Sequence, residues 1–230
     1  KKIMKSGTVA VVGKANAGKS TLLNVIVGEK VAIVSPKPQT TRDRILGVLN
    51  GEDYQIVFED TPGFYKSKTE LNRKMQRTAK RTANDVDVVL YVLDIHEGVK
   101  EEDLDMLKSI AKSEVPMVVA LSKIDIMPKE NIPGSLVKVA EIEGVDEIIP
   151  ISSRKNRNIK ELIDIILKYL PNGEAIFKEE IISDKSEKFM ISEIMREKIL
   201  LEFDKEIPHG IAVIVNEFYK KPSGTYEVNL

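Results

Sequence analysis

The chain has 230 residues, with 35 basic and 36 acidic side chains, a formal net charge of −1 and 42% hydrophobic residues, enough for one large core or for a main domain with a smaller one beside it. It has no cysteine, which excludes disulfides and thiolate metal centres and fits a reducing compartment. The charge balance excludes a global electrostatic footprint for nucleic acid, so any such surface must be local, and no apolar run approaches the roughly 20 residues of a membrane span.

The N-terminal stretch Lys1–Gly7 is basic, but the apolar run after it is too short for a signal peptide. That run, Thr8–Val12, reads as the first strand, and Thr21–Val27 reads as the first helix. Between them lies Gly13-Lys14-Ala15-Asn16-Ala17-Gly18-Lys19-Ser20. A glycine-framed loop between strand and helix is the setting of a phosphate-binding P-loop. Gly13 and Gly18 let the backbone turn tightly, so that its N–H groups point inward at phosphate oxygens. The helix N-terminus adds positive partial charge. Gly13, Asn16, Ala17, Gly18, Lys19, Ser20 and Thr21 are the expected contacts. Lys19 brings a point charge for the β- and γ-phosphates, and Ser20 a hydroxyl for Mg²⁺.

Pro38-Gln39-Thr40-Thr41-Arg42 follows the first helix. A Thr hydroxyl there can complete a Mg²⁺ shell while its N–H meets the γ-phosphate; Thr41 is favoured over Thr40. Ile45–Leu49 and Gln55–Glu59 read as strands joined by Asn50-Gly51, a strong hairpin signal that makes them antiparallel neighbours. Asp60-Thr61-Pro62-Gly63 comes next. Such a turn is common in isolation. After a P-loop it reads as a switch: Asp60 holds Mg²⁺ through water, and the Gly63 N–H takes and releases the γ-phosphate. The stretch Lys66 to Arg81 carries seven basic residues against one acid. It reads first as a solvated helix face, and second as a nucleotide-sensitive patch for RNA or a second domain.

Further strands are expected at Val86–Leu93, Met117–Leu121 and Glu147–Ile151, and helices at Leu71–Thr82, Glu101–Lys112, Ser135–Ile142 and Ile159–Tyr169. The alternation predicts an α/β fold: a P-loop NTPase three-layer sandwich whose six-stranded sheet is mostly parallel, with one antiparallel strand. Ligand loops then gather at the carboxyl ends of the strands. Ser122-Lys123-Ile124-Asp125 sits at one such end. An aspartate there accepts both N1–H and N2–H₂ of guanine, a pattern that adenine lacks, while the Lys123 stem lies over the base. Ser152 and Ser153, after the last strand, offer hydroxyl and N–H groups toward guanine O6. GTP/GDP with Mg²⁺ is therefore the expected ligand, with Ser20, Thr41 and Asp60 on the metal. His96 and His209 are isolated and carry no assigned role.

Leu170-Pro171-Asn172-Gly173 closes the last helix. Ala175 to Lys188 reads as linker or edge strand. Phe189 to Phe203 has helical periodicity, Pro208-His209-Gly210 is a turn, and Ile211–Val215 with Asn216–Phe218 reads as strand. These boundaries give a nucleotide-binding domain at 1–172, a linker at 173–188 and a second unit at 189–230. The second unit is too small for an independent core and is expected to be the opening part of a domain.

The chain resembles the Era family of Ras-like GTPases, which bind ribosomal RNA. The resemblance rests on Gly13–Ser20, Pro38–Arg42, Asp60–Gly63, Lys123–Asp125 and Ser152, and covers nearly the whole length. Phe189–Lys198 is similar to the opening helix of the family's C-terminal K-homology domain, and Pro208 with Ile211–Phe218 to its following strand. The resemblance implies a GTP-hydrolysing switch that acts in small ribosomal subunit (30S) assembly through ribosomal RNA. It also implies a monomer in the cytoplasm, with peripheral contact on the inner face of the cell membrane as an alternative location. Three features depart from the family pattern. Ser122 stands where the guanine motif begins with Asn, and is expected to lose hydrogen bonds to the base and to the adjacent loop. Ser153 replaces a small residue, usually Ala. No G-x-x-G, the RNA-clamping loop of K-homology domains, occurs in the chain.

Hydrolysis of GTP is mostly positioning and charge stabilisation. Many Ras-like proteins place Gln directly after D-x-x-G, but Phe64 occupies that position and cannot polarise water. Slow intrinsic turnover is expected, carried by Lys19, Thr41, Gly63 and Asn16. In related GTPases an Asn at the Asn16 position helps hold a K⁺ ion that replaces an arginine finger. The alternatives are a nucleotide-gated module without catalysis, favoured by Phe64 and Ser122, and a GTPase serving tRNA modification or transport.

Overall fold

Runs of Val, Ile and Leu that are buried on both faces build the sheet. In the computed structural model, the residues described are 3–34, 45–60, 86–202 and 211–229. Seven strands join: β1 (Met4–Val12), β2 (Ile45–Asn50), β3 (Tyr54–Asp60), β4 (Val88–Asp94), β5 (Met117–Ser122), β6 (Glu147–Pro150) and β7 (Asn172–Gly173). Their order is β2-β3-β1-β4-β5-β6. All contacts along that path are parallel except β2–β3. The six-stranded, mostly parallel sheet is the one expected, and the Asn50-Gly51 hairpin makes its antiparallel pair. The two-residue β7, read from sequence only as a helix-closing turn, pairs antiparallel with the start of β1. A segment so short has no periodicity to detect; the partner strand creates it.

The helices among the described residues are α1 (Lys19–Val27), α2 (Glu101–Ile110), α3 (Ile132–Ala140), α4 (Ile159–Tyr169) and α5 (Glu187–Glu202). The expected helix at Leu71–Thr82 lies outside them. One face of the sheet packs Val9, Val11, Ile56, Phe58 and Leu90 against Leu22 and Leu23 of α1 and Leu162 and Ile166 of α4. The other packs Ala10, Val12, Tyr91, Val119 and Leu121 against Leu107 of α2 and Val139 of α3. This makes three layers, with residues 9–12 of β1, 88–93 of β4 and 117–121 of β5 apolar because both faces of the sheet are covered there.

After β7 the chain runs as a strap along β2. Val48 N donates to Ile182 O at 2.9 Å, Gly47 and Ser183 form an antiparallel bridge, and Phe177 and Ile181 pack on Leu46, Val48 and Val57. Gln55 is wholly buried and ties the strap down. Its amide nitrogen donates to Asn50 Oδ1 at 2.7 Å and to Phe177 O at 2.9 Å, and its oxygen accepts from Phe177 N at 2.8 Å. The expected strand at Ile211–Val215 is absent: residues 211–216 have no regular structure, and the strands there are β8 (Glu217–Lys220) and β9 (Tyr226–Asn229), an antiparallel pair. Apolar alternation makes a strand only where a partner completes its ladder.

Replacing Gln55 with Leu keeps the volume but strands both Phe177 main-chain groups. Urea denaturation is expected to show a loss of about 2 kcal/mol, with faster proteolysis between residues 174 and 186.

Candidate functional site

The carboxyl ends of β1, β3, β4, β5 and β6 share one edge of the sheet, and the expected site residues that the structure describes converge there. The loop after β1 needs unusual backbone at three points. Gly13 (φ 151°) lies so close to β4 that a Cβ would sit 2.4 Å from Val92 O, Asn16 is left-handed (φ 63°), and Gly18, with φ 102°, caps α1. Asn is one of the few non-glycine side chains that adopts this region readily. Lys14 pairs with Asp103 and reaches Glu102 at 3.6 Å, which ties the loop to the start of α2.

Lys19 turns back into its own loop. Its Nζ donates to Gly13 O at 3.1 Å and Lys14 O at 2.9 Å. Burial pulls its pKa down to about 8, against the opposing pull of Asp60. Ser20 Oγ donates to Asp60 Oδ2 at 2.8 Å. Asp60 is fully buried, and burial pushes its pKa up although Lys19 and Ser20 pull it down. Its Oδ1 has no hydrogen-bond partner among the described residues.

A buried carboxylate oxygen without a partner, next to a serine hydroxyl, is a hard oxygen set that fits Mg²⁺ completed by phosphate and water. No cluster of three or more His, Asp or Glu residues that could hold a metal occurs among the described residues. Thr41, Gly63, Phe64 and the basic stretch from Lys66 to Arg81 lie outside the described residues, as does His209.

At the far side of the edge, Ser122 Oγ donates to Ala17 O at 2.7 Å, and the bond is buried. This corrects the expectation that Ser122 loses contact with the adjacent loop. The end of β5 abuts the P-loop closely enough for the shorter side chain to keep that tether. Lys123 has left-handed backbone (φ 65°), and its Nζ meets Asp94 Oδ2 at 2.6 Å. Burial raises the Asp94 pKa, but hydrogen bonds from Lys123 and His96 outweigh it and hold the carboxyl below its usual range. The half-buried Asp125 accepts from Ser152 Oγ at 2.7 Å. Ser152 in turn accepts from Lys155 N at 3.1 Å. The chain thus orients Asp125 through Ser152, while Ser153 is half-buried beside it. Sequence reasoning missed Asp94 and Lys14. Asp94 ends an apolar strand, a detectable signal; the pairing of Lys14 with α2 is purely tertiary.

Comparison with known proteins adds to this geometry. A family model described as 50S ribosome-binding GTPase matches residues 8–123. The chain is 42% identical to the GTPase Era of Clostridium kluyveri over 226 residues, which is 98% of this chain and 77% of that protein. It is 44% identical to the GTPase Era of Clostridium acetobutylicum over 224 residues, covering 95% and 76% of the two. Among solved structures, an Era variant of Aquifex aeolicus bound to GDP·AlF4⁻ superposes with a TM-score of 0.86 at 40% identity, over 96% of this chain and 75% of the other. Era in complex with MgGDPNP and nucleotides 1506–1542 of 16S ribosomal RNA superposes with a TM-score of 0.86 at 41% identity, with the same coverage.

The Ser122 tether is measurable apart from any ligand. Ser122→Ala leaves the buried Ala17 carbonyl unpaired and is expected to lower stability in urea by about 1–2 kcal/mol, whereas Ser122→Thr, which keeps the hydroxyl, is expected to lose less than half of that.

Proposed function

The chain belongs to the Era family of GTPases, and on that premise we propose that it is a GTP-binding and GTP-hydrolysing switch that acts in small ribosomal subunit assembly through ribosomal RNA. The observation that carries the reading is the meeting of Lys19, Ser20 and Asp60 at the P-loop, with Ser20 Oγ and Asp60 Oδ2 2.8 Å apart and the second Asp60 oxygen without a partner among the described residues.

In this reading the P-loop N–H groups of Gly13, Asn16, Ala17, Gly18, Lys19, Ser20 and Thr21 surround the phosphates. Lys19 leaves its two carbonyls in part to meet the β- and γ-phosphates. Ser20, Asp60 and Thr41 would hold Mg²⁺, whose chemistry when bound would be to neutralise charge on the phosphates. Gly63 N–H reads the γ-phosphate. Asp125 reads guanine N1–H and N2–H₂, the Lys123 stem covers the base, and Ser152 and Ser153 face O6. With Phe64 unable to orient water, turnover is slow, and Asn16 supports K⁺ in place of an arginine finger. The left-handed backbone of Asn16, held inside the P-loop, is consistent with that task.

Residues 1–172 form the GTPase domain, 173–188 the linker and 189–230 the opening part of a K-homology domain. The chain spans about three quarters of its relatives' length, and RNA binding is assigned to the K-homology domain to which residues 189–230 contribute, not to a G-x-x-G clamp within this sequence. No helix among the described residues is long and apolar enough to cross a membrane. The reading places the protein in the cytoplasm as a monomer, with any membrane contact peripheral. A non-catalytic, nucleotide-gated module is the second reading, favoured by Phe64; the retained Ser122 tether removes part of its support.

Steady-state GTP turnover with and without a 16S ribosomal RNA fragment tests the assignment: RNA-dependent phosphate release that vanishes in Lys19→Ala is expected, and no release under either condition would leave the second reading standing. Turnover in KCl is expected to exceed that in NaCl about tenfold or more, and Asn16→Ala to erase the difference; equal rates in the two salts would remove the K⁺ role. Phosphate binding needs the charged Lys19, whose ammonium is poised near pH 8. GDP affinity should therefore be flat below about pH 7.5 and fall toward tenfold per unit above 8. Calorimetry at pH 8.5 in buffers of different ionisation enthalpy should then show proton uptake on binding.

A further inference from the structure

Two carboxylates from the C-terminal stretch accept main-chain N–H groups of the nucleotide-site framework. Asp184 Oδ1 accepts from Leu46 N at 2.9 Å. Glu197 Oε1 accepts from Val34 N at 2.9 Å, and its other oxygen pairs with Lys30. Glu197 is only 5% exposed. A buried carboxylate is costly unless it is paired and hydrogen-bonded, so this contact is specific in geometry and not an incidental surface pairing.

The two grips reach different elements. Val34 and Lys30 lie just beyond α1, in a segment that α1 itself clasps. Asn24 Nδ2 donates to Ala32 O at 2.7 Å, and Asn24 Oδ1 accepts from Val31 N at 3.0 Å and Ala32 N at 2.9 Å. The first turn of α1 carries Lys19 and Ser20. Leu46 belongs to β2 and lies beside Ile45, whose register partner on β3 is Asp60. Glu197 is therefore connected through α1 to Ser20, and Asp184 through β2 and β3 to Asp60. Those are the two side chains that touch each other at the metal side of the site. Glu197 on α5 and Asp184 on the strap are 13 residues apart in one continuous segment, so that segment spans the two halves of the pair.

We propose that Asp184 and Glu197 are positioning residues that set the separation of α1 and β3, and thereby how well Ser20 and Asp60 are preorganised for Mg²⁺. This rests on the assignment of Ser20 and Asp60 to the metal. Loosening either grip leaves the nucleotide's phosphate and base contacts intact but lets α1 and β3 move apart, so the affinity gained from Mg²⁺ shrinks. Because coupling between sites is reciprocal, Mg²⁺·nucleotide in turn stiffens the strap and α5, and a partner that draws α5 away weakens Mg²⁺-dependent binding. The α5 helix thus reports on the metal side of the site without touching it.

The test measures GDP affinity of the full 230-residue chain in Mg²⁺ and in EDTA, for the parent and for Asp184→Ala, Glu197→Ala, Glu197→Gln and Asp60→Asn. Asp184→Ala and Glu197→Ala are each expected to lose about fivefold in Mg²⁺, the value of one net hydrogen bond, with EDTA affinities unchanged. Glu197→Gln keeps an acceptor for Val34 N and is expected to stay within about twofold of the parent. Equal losses with and without Mg²⁺ would reduce both residues to structural glue and overturn the proposal, as would no loss at all. Asp60→Asn is the control: if it retains the full Mg²⁺ enhancement, the metal assignment fails, whereas if it abolishes the enhancement while the strap variants do not, only the coupling fails. Should Glu197→Ala not fold, hydrogen exchange of the Val34 and Leu46 amides in the parent decides. Slower exchange is expected in Mg²⁺·GDP than in GDP with EDTA, and identical exchange overturns the coupling.

Discussion

A lysine ammonium and an aspartate carboxylate buried at the same end of the sheet are the constraint around which the rest is arranged. Lys19 is satisfied by two carbonyls of its own loop, and Asp60 by Ser20 on one oxygen only. Burial moves both toward their neutral forms, the ordinary response of charged groups denied water. Such a site is poorly compensated by protein alone. A polyphosphate beside Lys19 and a divalent cation beside Asp60, the proposed ligand pair, would each compensate that burial. The left-handed Asn16 and the close approach of Gly13 to Val92 belong to the same loop.

The base-binding end follows a different logic. There the charges are half-buried and paired sideways, Lys123 to Asp94 and Asp125 to Ser152. These bonds cost little and fix orientation. Ser122 joins the two ends through Ala17, so the loop after β1 and the loop after β5 are linked by a hydrogen bond despite a separation of 105 residues. The strap and α5 extend these links along β2. Gln55 fastens the strap near its start, and Asp184 and Glu197 fasten the stretch that follows.

Much of this was legible because it is local. The P-loop, its flanking strand and helix, and the Asn50-Gly51 hairpin each depend on residues within one turn or two of each other, where glycine conformation and hydrophobic period speak directly. The parallel order of the central strands followed from alternation with helices. What failed were features that exist only in company. β7 is two residues paired to β1. Ile211–Val215 alternates like a strand but is not one in the structure, and the strand pairing begins at Glu217 instead. Ser122 was read by its missing carboxamide, when its hydroxyl reaches the loop because β5 ends beside it. The pairings of Lys14 with Asp103 and of Lys123 with Asp94 cross between elements that no spacing rule connects.

By itself the sequence determined which functional groups the site can offer, and with them the proposed roles: the glycine-framed loop and Lys19 for phosphate, Asp125 for guanine, and Ser20 and Asp60 for magnesium. Those choices depend on functional groups and short-range backbone freedom, which are written residue by residue. Only the tertiary structure decided how the groups are poised: that Lys19 and Asp60 are buried beside Ser20, that Ser122 Oγ reaches Ala17 O, and that Asp184 and Glu197 of the C-terminal stretch hold the Leu46 and Val34 amides. Burial, pKa and long-range hydrogen bonds arise from which surfaces pack together, and packing is a property of the folded chain as a whole.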